Sequence, residues 1–281
     1  MKCAFAILAS LTPFHLQAQL LVSDAFNYPD GGLPSASSGR WHHHSGSTGT
    51  LRVQDHAARV LQADITETSL EDVHVHFSPE EPVFRPDTDG INGNNCLFVS
   101  YWATFQALPT GKSGGQTIGS YFTHFLGDSS HYGMVGASLQ GATAGKLRIG
   151  IASLEWSQYA TYYPQDLELG VAYQIVSRYD LDTQQTTLWI NPSGETSPSV
   201  TFTPDLRKDQ TAISSLALRQ GTTAVKTTVG GPGDLLLDQL TIGRNWEDIV
   251  SPVPEPATSG AVVGIGLALA AAVRKRLVGQ G

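Results

Sequence analysis

The sequence predicts an all-β fold: two antiparallel sheets packed as one sandwich over 19–250. A signal peptide over 1–18 precedes it, and a tail over 251–281 with a single hydrophobic helix follows. Three observations predict this. Between 19 and 250, about a dozen short runs alternate apolar and polar residues with a period of two, separated by Gly, Pro, Asn and Ser. No stretch in that span carries the periodicity of an amphipathic helix. Only 15% of the residues are charged while 41% are hydrophobic, a composition poor in helix-surface Glu and Lys yet rich enough for a sizeable core.

Taken in order, the first notable segment is 35–49, rich in Gly and Ser and containing His42-His43-His44; it reads as a long surface loop. Val73, Val75 and Phe77 then alternate with His74 and His76, which puts both imidazoles on one strand face. The longest run, 96–105, sets Leu97, Val99, Tyr101, Ala103 and Phe105 together. In 118–126, Tyr121, Thr123 and Phe125 alternate against Phe122, His124 and Leu126. Leu147, Ile149 and Ile151 share a face in 146–152. The runs 173–181 and 186–191 predict a hairpin turning at 182–185, and 213–219 and 235–242 continue the pattern. No fixed-period repeat is visible, which argues against a propeller or solenoid.

The two ends carry separate signals. Lys2 followed by an apolar run over 4–11 and small residues near Ala18 forms a secretory signal peptide cut after 18. At the other end, Pro254, Glu255 and Pro256 precede an uncharged stretch over 258–273, which Arg274, Lys275 and Arg276 terminate. As a helix that stretch spans about 24 Å, slightly under a hydrocarbon core. The basic residues after it keep that end in the cytoplasm and the domain on the far side.

This tripartite ending resembles the PEP-CTERM sorting signal, the match lying in Pro254-Glu255-Pro256, the apolar segment and the basic cluster. The resemblance implies an exosortase partner, transient anchoring in the inner membrane through 258–273, and delivery to the cell envelope, outer surface or extracellular matrix. Within the body, three segments resemble the concanavalin A-like, LamG-like jelly rolls of exported proteins. They are Asp24-Ala25-Phe26-Asn27-Tyr28-Pro29-Asp30-Gly31, the hairpin of 173–180 and 187–192, and Leu237-Asp238-Gln239-Leu240-Thr241-Ile242-Gly243-Arg244-Asn245-Trp246. That likeness implies a jelly-roll architecture and leaves room for structural calcium, which the oxygen-rich segment 87–95 could serve. It implies no other cofactor.

Charge excludes one partner class. The formal charge of −8, from 17 basic and 25 acidic side chains, repels nucleic acid. Of the two cysteines, Cys3 falls in the signal peptide and Cys96 heads an apolar run, where a buried, inert thiol is expected.

Catalytic signatures are sparse. A retaining glycosidase on such a sandwich needs paired carboxylates alternating on one strand face. Glu67, Glu71, Asp72, Glu80 and Glu81 all sit in turn-like or loop contexts. Gly111-Lys112-Ser113-Gly114-Gly115 matches a nucleophile elbow in letters only, because strand-like residues follow it where a helix is required. His74 and His76 could begin a metal site, but no third ligand is evident from the sequence. The expectation is therefore a non-enzymatic surface or matrix protein without a metal site. The alternative is a carbohydrate-binding module in which Trp156, Tyr159, Tyr162 and Tyr163 form an aromatic platform for polysaccharide, and a divergent glycoside hydrolase is the third reading, ranked below both.

Overall fold

The computed structural model of the protein describes residues 20–63, 70–77, 84–86, 95–109, 119–127, 131–153, 160–204, 212–222 and 231–250. The chain divides into two compact units, Met1–Ile249 and Val250–Gly281, and the first is described here. The signal peptide, the Pro254–Pro256 motif, the helix expected over 258–273, Arg274, Lys275, Arg276 and most of the 87–95 segment lie outside the described residues. Among the described residues no helix is long and apolar enough to cross a membrane.

In chain order the first strands are β1 (Leu20–Asp24), β2 (Gly31–Gly32), β3 (Trp41–Ser45), β4 (Arg52–Gln54), β5 (Ala57–Val60), β6 (Gln62–Ala63), β7 (Asp72–His76), β8 (Cys96–Ala107) and β9 (Ser120–Gly127). The rest are β10 (His131–Ser138), β11 (Arg148–Ala152), β12 (Thr161–Tyr162), β13 (Ala172–Asp180), β14 (Thr186–Ile190), β15 (Val200–Phe202), β16 (Ile213–Arg219), β17 (Gly221–Thr222) and β18 (Asp234–Gly243). Two short helices, α1 (Leu33–Ala36) and α2 (Trp246–Val250), complete the described elements.

The strands form a nine-stranded sheet, ordered β15-β14-β13-β8-β18-β5-β4-β2 with β1 also on β18, and a seven-stranded sheet, ordered β12-β11-β10-β9-β16-β7-β3. Every pairing in both is antiparallel. The large sheets face each other across one core, with β10 against β13 and β11 against β14, in a jelly-roll sandwich.

Side-chain alternation explains the core. Leu97, Val99, Tyr101, Ala103 and Phe105 of β8 all point inward, as do Leu147, Ile149 and Ile151. Each fully buried aliphatic or phenyl side chain contributes roughly 1.5–3 kcal/mol. The expected hairpin is β13–β14, with Ile175 opposite Ile190 and Tyr179 opposite Thr186. Its turn is held by Asp180, whose Oδ1 accepts the amides of Asp182 and Thr183.

Two expectations need correction. The segment 35–49 is not a plain loop, since it contains part of α1 and the edge strand β3. Trp41 is the cause: its indole is fully buried and stacks on Phe26 at 5.8 Å. Strand β9 also breaks simple alternation. Val135 of β10 pairs with Thr123 and the next residue, Gly136, pairs with Tyr121, so Phe122 is the surplus residue of a β-bulge. Phe122 and Phe125 both enter the core, and Tyr121 and His124 come to the opposite face.

The opening segment is organised by Asp24. Its buried carboxylate accepts hydrogen bonds from the Phe26 amide, the Tyr28 hydroxyl and Trp41 Nε1, each at 2.8 Å. Glu71 plays the same part across the sandwich edge. Fully buried, it accepts the Gly49 and Leu51 amides and lies 3.1 Å from His43 Nδ1.

Candidate functional site

The outer face of the seven-stranded sheet collects polar and aromatic groups that no core needs. On β7 the inward turn of Val73 and Val75 puts Asp72, His74 and His76 outside. Strand β3 pairs alongside with His42 directly opposite His74. The four rings His42, His44, His74 and His76 then lie within 4.8–5.7 Å of a neighbour, His42 stacked on His74 and His74 edge-on to His76. His76 Nδ1 is 3.0 Å from Ser215 Oγ on β16.

Further across the face, the Phe122 bulge aims Tyr121 and His124 outward, and β10 and β16 supply His131 and Arg219. The His124 ring is 4.4 Å from that of His131 and 5.4 Å from that of Tyr121. Tyr121 Oη lies 3.4 Å from His131 Nδ1. The Arg219 guanidinium sits 4.5 Å over the Tyr121 ring and donates to Ser120 Oγ at 3.1 Å, a cation–π contact combined with a hydrogen bond. Six of the nine histidines of the chain share this face.

Burial sets the charge state. His124 is 1% exposed, and among the described residues neither ring nitrogen has a hydrogen-bond partner. Loss of water, then the nearby His131 and Arg219 charges, hold its pKa well below the ordinary imidazole value. His74 is pushed down to about 4 by burial and by His76, His44 and His42, and His131 is lowered by burial and Arg219. Tyr121 is raised, chiefly by burial. Near neutral pH the face therefore offers a neutral His74 ring, a protonated phenol and a guanidinium, with the neutral His124 ring packed beneath the last two. These can bind hydroxyl-rich or anionic ligands and exchange protons with them.

The residues singled out in the sequence are placed unevenly. Trp156 and Tyr159 lie outside the described residues. Tyr162 is on this outer face, packed near Met134 and Ala152, whereas Tyr163 turns into the core and donates its hydroxyl to the Pro198 carbonyl. Tyr163 is thus a packing residue and not part of an exposed platform. His74 and His76 are on the face as alternation predicted, and His42 and His44 join them from what was expected to be loop. Tyr121, His124, His131 and Arg219 escaped sequence reasoning because no motif links them. Among the described residues no group of three or more His, Cys, Asp or Glu is arranged to hold a metal ion.

No family model matches the chain, and no curated protein does. Solved structures that resemble it include alginate lyase Aly36B, with a TM-score of 0.47 and 12% identity over 79% of this chain and 96% of that one. Another is alginate lyase A1-II', of polysaccharide lyase family 7, at 0.41 and 14% over 81% and 93%. A third is the carbohydrate recognition domain of Emp47p, at 0.41 and 8% over 81% and 97%. Against the expectation of a non-enzymatic protein, alginate lyases recur among these structures, and the paired carboxylates missing from the sequence are a signature of glycoside hydrolysis alone. The likeness is one of fold: an antiparallel jelly-roll sandwich.

Proposed function

We propose that this chain is a polysaccharide-binding jelly-roll protein whose ligand lies along the outer face of the seven-stranded sheet. One observation carries the reading: on that face the Arg219 guanidinium lies 4.5 Å over the Tyr121 ring and Tyr121 Oη lies 3.4 Å from His131 Nδ1, all resting on His124, whose buried ring nitrogens have no partner among the described residues. An unpartnered buried polar group is costly, by roughly 1–3 kcal/mol, and a functional site is one setting in which that cost persists. Sugar hydroxyls, which donate and accept, suit neutral imidazoles and a phenol, and Arg219 supplies a charge for carboxylated sugars. The test is retardation of the full chain in gels cast with carboxylated polysaccharides. Retention that Arg219→Ala and His124→Phe abolish supports the reading, and retention unchanged in both variants removes it.

A second reading, cleavage of the bound polymer, is favoured by the 3.4 Å approach of Tyr121 Oη to His131 Nδ1. A phenol and an imidazole in reach of each other can act as acid and base. Release of new chain ends from a uronate polymer, lost in Tyr121→Phe, would establish it. No release from any polymer that the protein binds would refute it.

The termini support a further part of the proposal from sequence alone. The segments 1–18 and 251–281 direct export and exosortase-dependent sorting to the envelope or outer surface, with 258–273 as a transient membrane anchor. Intact mass of the protein recovered from its own cells tests this. Loss of both ends agrees with it, and retention of Arg274, Lys275 and Arg276 contradicts it.

A further inference from the structure

The opposite side of the sandwich carries a separate candidate. Strand β8 lies between β13 and β18 in the nine-stranded sheet, and its outer face presents Trp102, 40% exposed. In register, Trp102 pairs with Gln174 on one side and Asp238 on the other. The indole borders a depression of about 430 Å³, with Ala57, Thr104, Ala172 and Leu236 completing its lining alongside Asp238 and Gln239. Small residues at 57 and 172 leave the ring standing clear of its neighbours.

The flanking polar groups are held in place. Gln174 Nε2 donates to Ser100 Oγ at 3.1 Å, and Asp238 Oδ1 accepts the Gln239 amide at 2.7 Å. Gln239 itself has a φ of 51° at the register shift between Asp238 and Thr241, so a bulge sets the angle of that side of the depression. A flat ring between two fixed hydrogen-bonding side chains lacks the contiguous apolar area of a protein-docking patch. Two-fold association of this face would also draw the Asp238 carboxylates of two chains of charge −8 toward each other.

We propose that Trp102, Gln174 and Asp238 form a second saccharide site, which stacks one pyranose residue of a neutral polysaccharide on the indole and holds its hydroxyls between the amide and the carboxylate. Neutral sugar is specified because a carboxylated one would meet Asp238. The site shares no residue with the histidine face, and either can fail without the other.

Affinity electrophoresis of the full chain in gels containing laminarin, xylan, galactomannan or hydroxyethyl cellulose tests it. The expected result is retardation by at least one neutral polymer, weakened about tenfold or more in Trp102→Ala and Asp238→Ala and partly kept in Trp102→Phe. Arg219→Ala should leave that retardation intact. Trp102 is 40% exposed, so the melting of each variant is compared with the parent in the same preparations, and Trp102→Phe with Asp238→Ala carries the test if Trp102→Ala melts early. The proposal is overturned if no neutral polymer retards the parent, or if Trp102→Ala is retarded equally. It is also overturned if sedimentation shows a dimer that Trp102→Ala dissolves without any polysaccharide binding.

Discussion

The imidazole of His124 lies 4.4 Å from that of His131, the two planes inclined by 70°, and His124 is sealed from solvent. Protonating one ring disfavours the other, and both are already held below the ordinary histidine range by burial. Such a pair acts as a store of pH sensitivity.

Acid should therefore destabilise the fold through this face. A histidine held low in the folded chain takes up its proton first in the unfolded chain, so its contribution is whole above about pH 6.5 and declines below. For His74 the decline runs down to about 4. Urea midpoints measured at pH 7.5 and pH 5 should differ, with the lower at pH 5, and His124→Phe should narrow the gap. An unchanged gap would show that His124 does not titrate as argued.

Arg219→Lys keeps the charge but loses the planar group over Tyr121 and the fork toward Ser120. Polysaccharide retention is expected to fall about tenfold with the melting temperature nearly unchanged, a split that separates ligand contact from support of the sheet.

Asp24→Ala removes the acceptor shared by Phe26, Tyr28 and Trp41. A buried indole N–H is left unpaired, so unfolding should become easier by about 3 kcal/mol. The Tyr28 phenol, pushed up to about 12 by burial and by Asp24, should return toward 10, which ultraviolet titration reads directly.

Gly243→Ala should misplace α2. A methyl group there would stand 2.3 Å from Asp248 Cβ, and Asp248 holds the turn by accepting the Arg244 and Asn245 amides. The edge-to-face contact of Trp246 with Trp189 at 5.2 Å would be disturbed, giving a changed near-ultraviolet circular dichroism and a loss of about 1–3 kcal/mol.

Cys96 is buried and its thiol is pushed up to about 11, chiefly by burial. Maleimide should label it only after unfolding, and rapid labelling of the native protein would contradict its placement.

Much of the fold was legible because alternation reports burial directly. Strand β8 and the β13–β14 hairpin follow their pattern residue by residue. The hydrogen bond that joins Tyr28 to Asp24, four residues apart, belongs to a turn that alternation does not report. The site was less legible. Three consecutive histidines have no period, so only the pairing of β3 with β7 reveals that His42 and His44 join His74. Tyr162 and Tyr163 are neighbours in sequence, and a strand sends neighbours to opposite faces. Arg219 and Tyr121 are brought together by β16 lying beside β9, a long-range pairing that no local motif announces.

The bulge at Phe122 has a consequence for how this surface can change over generations. Phe122 has no partner on β10, so loss of its codon alone would restore plain alternation, with Tyr121 and His124 still outside and one ring fewer in the core. Loss of a paired codon elsewhere in β9 would instead turn every position on one side of the change to the other face. A length change at the bulge is thus the one this face can absorb, while its neighbours are held to a fixed count.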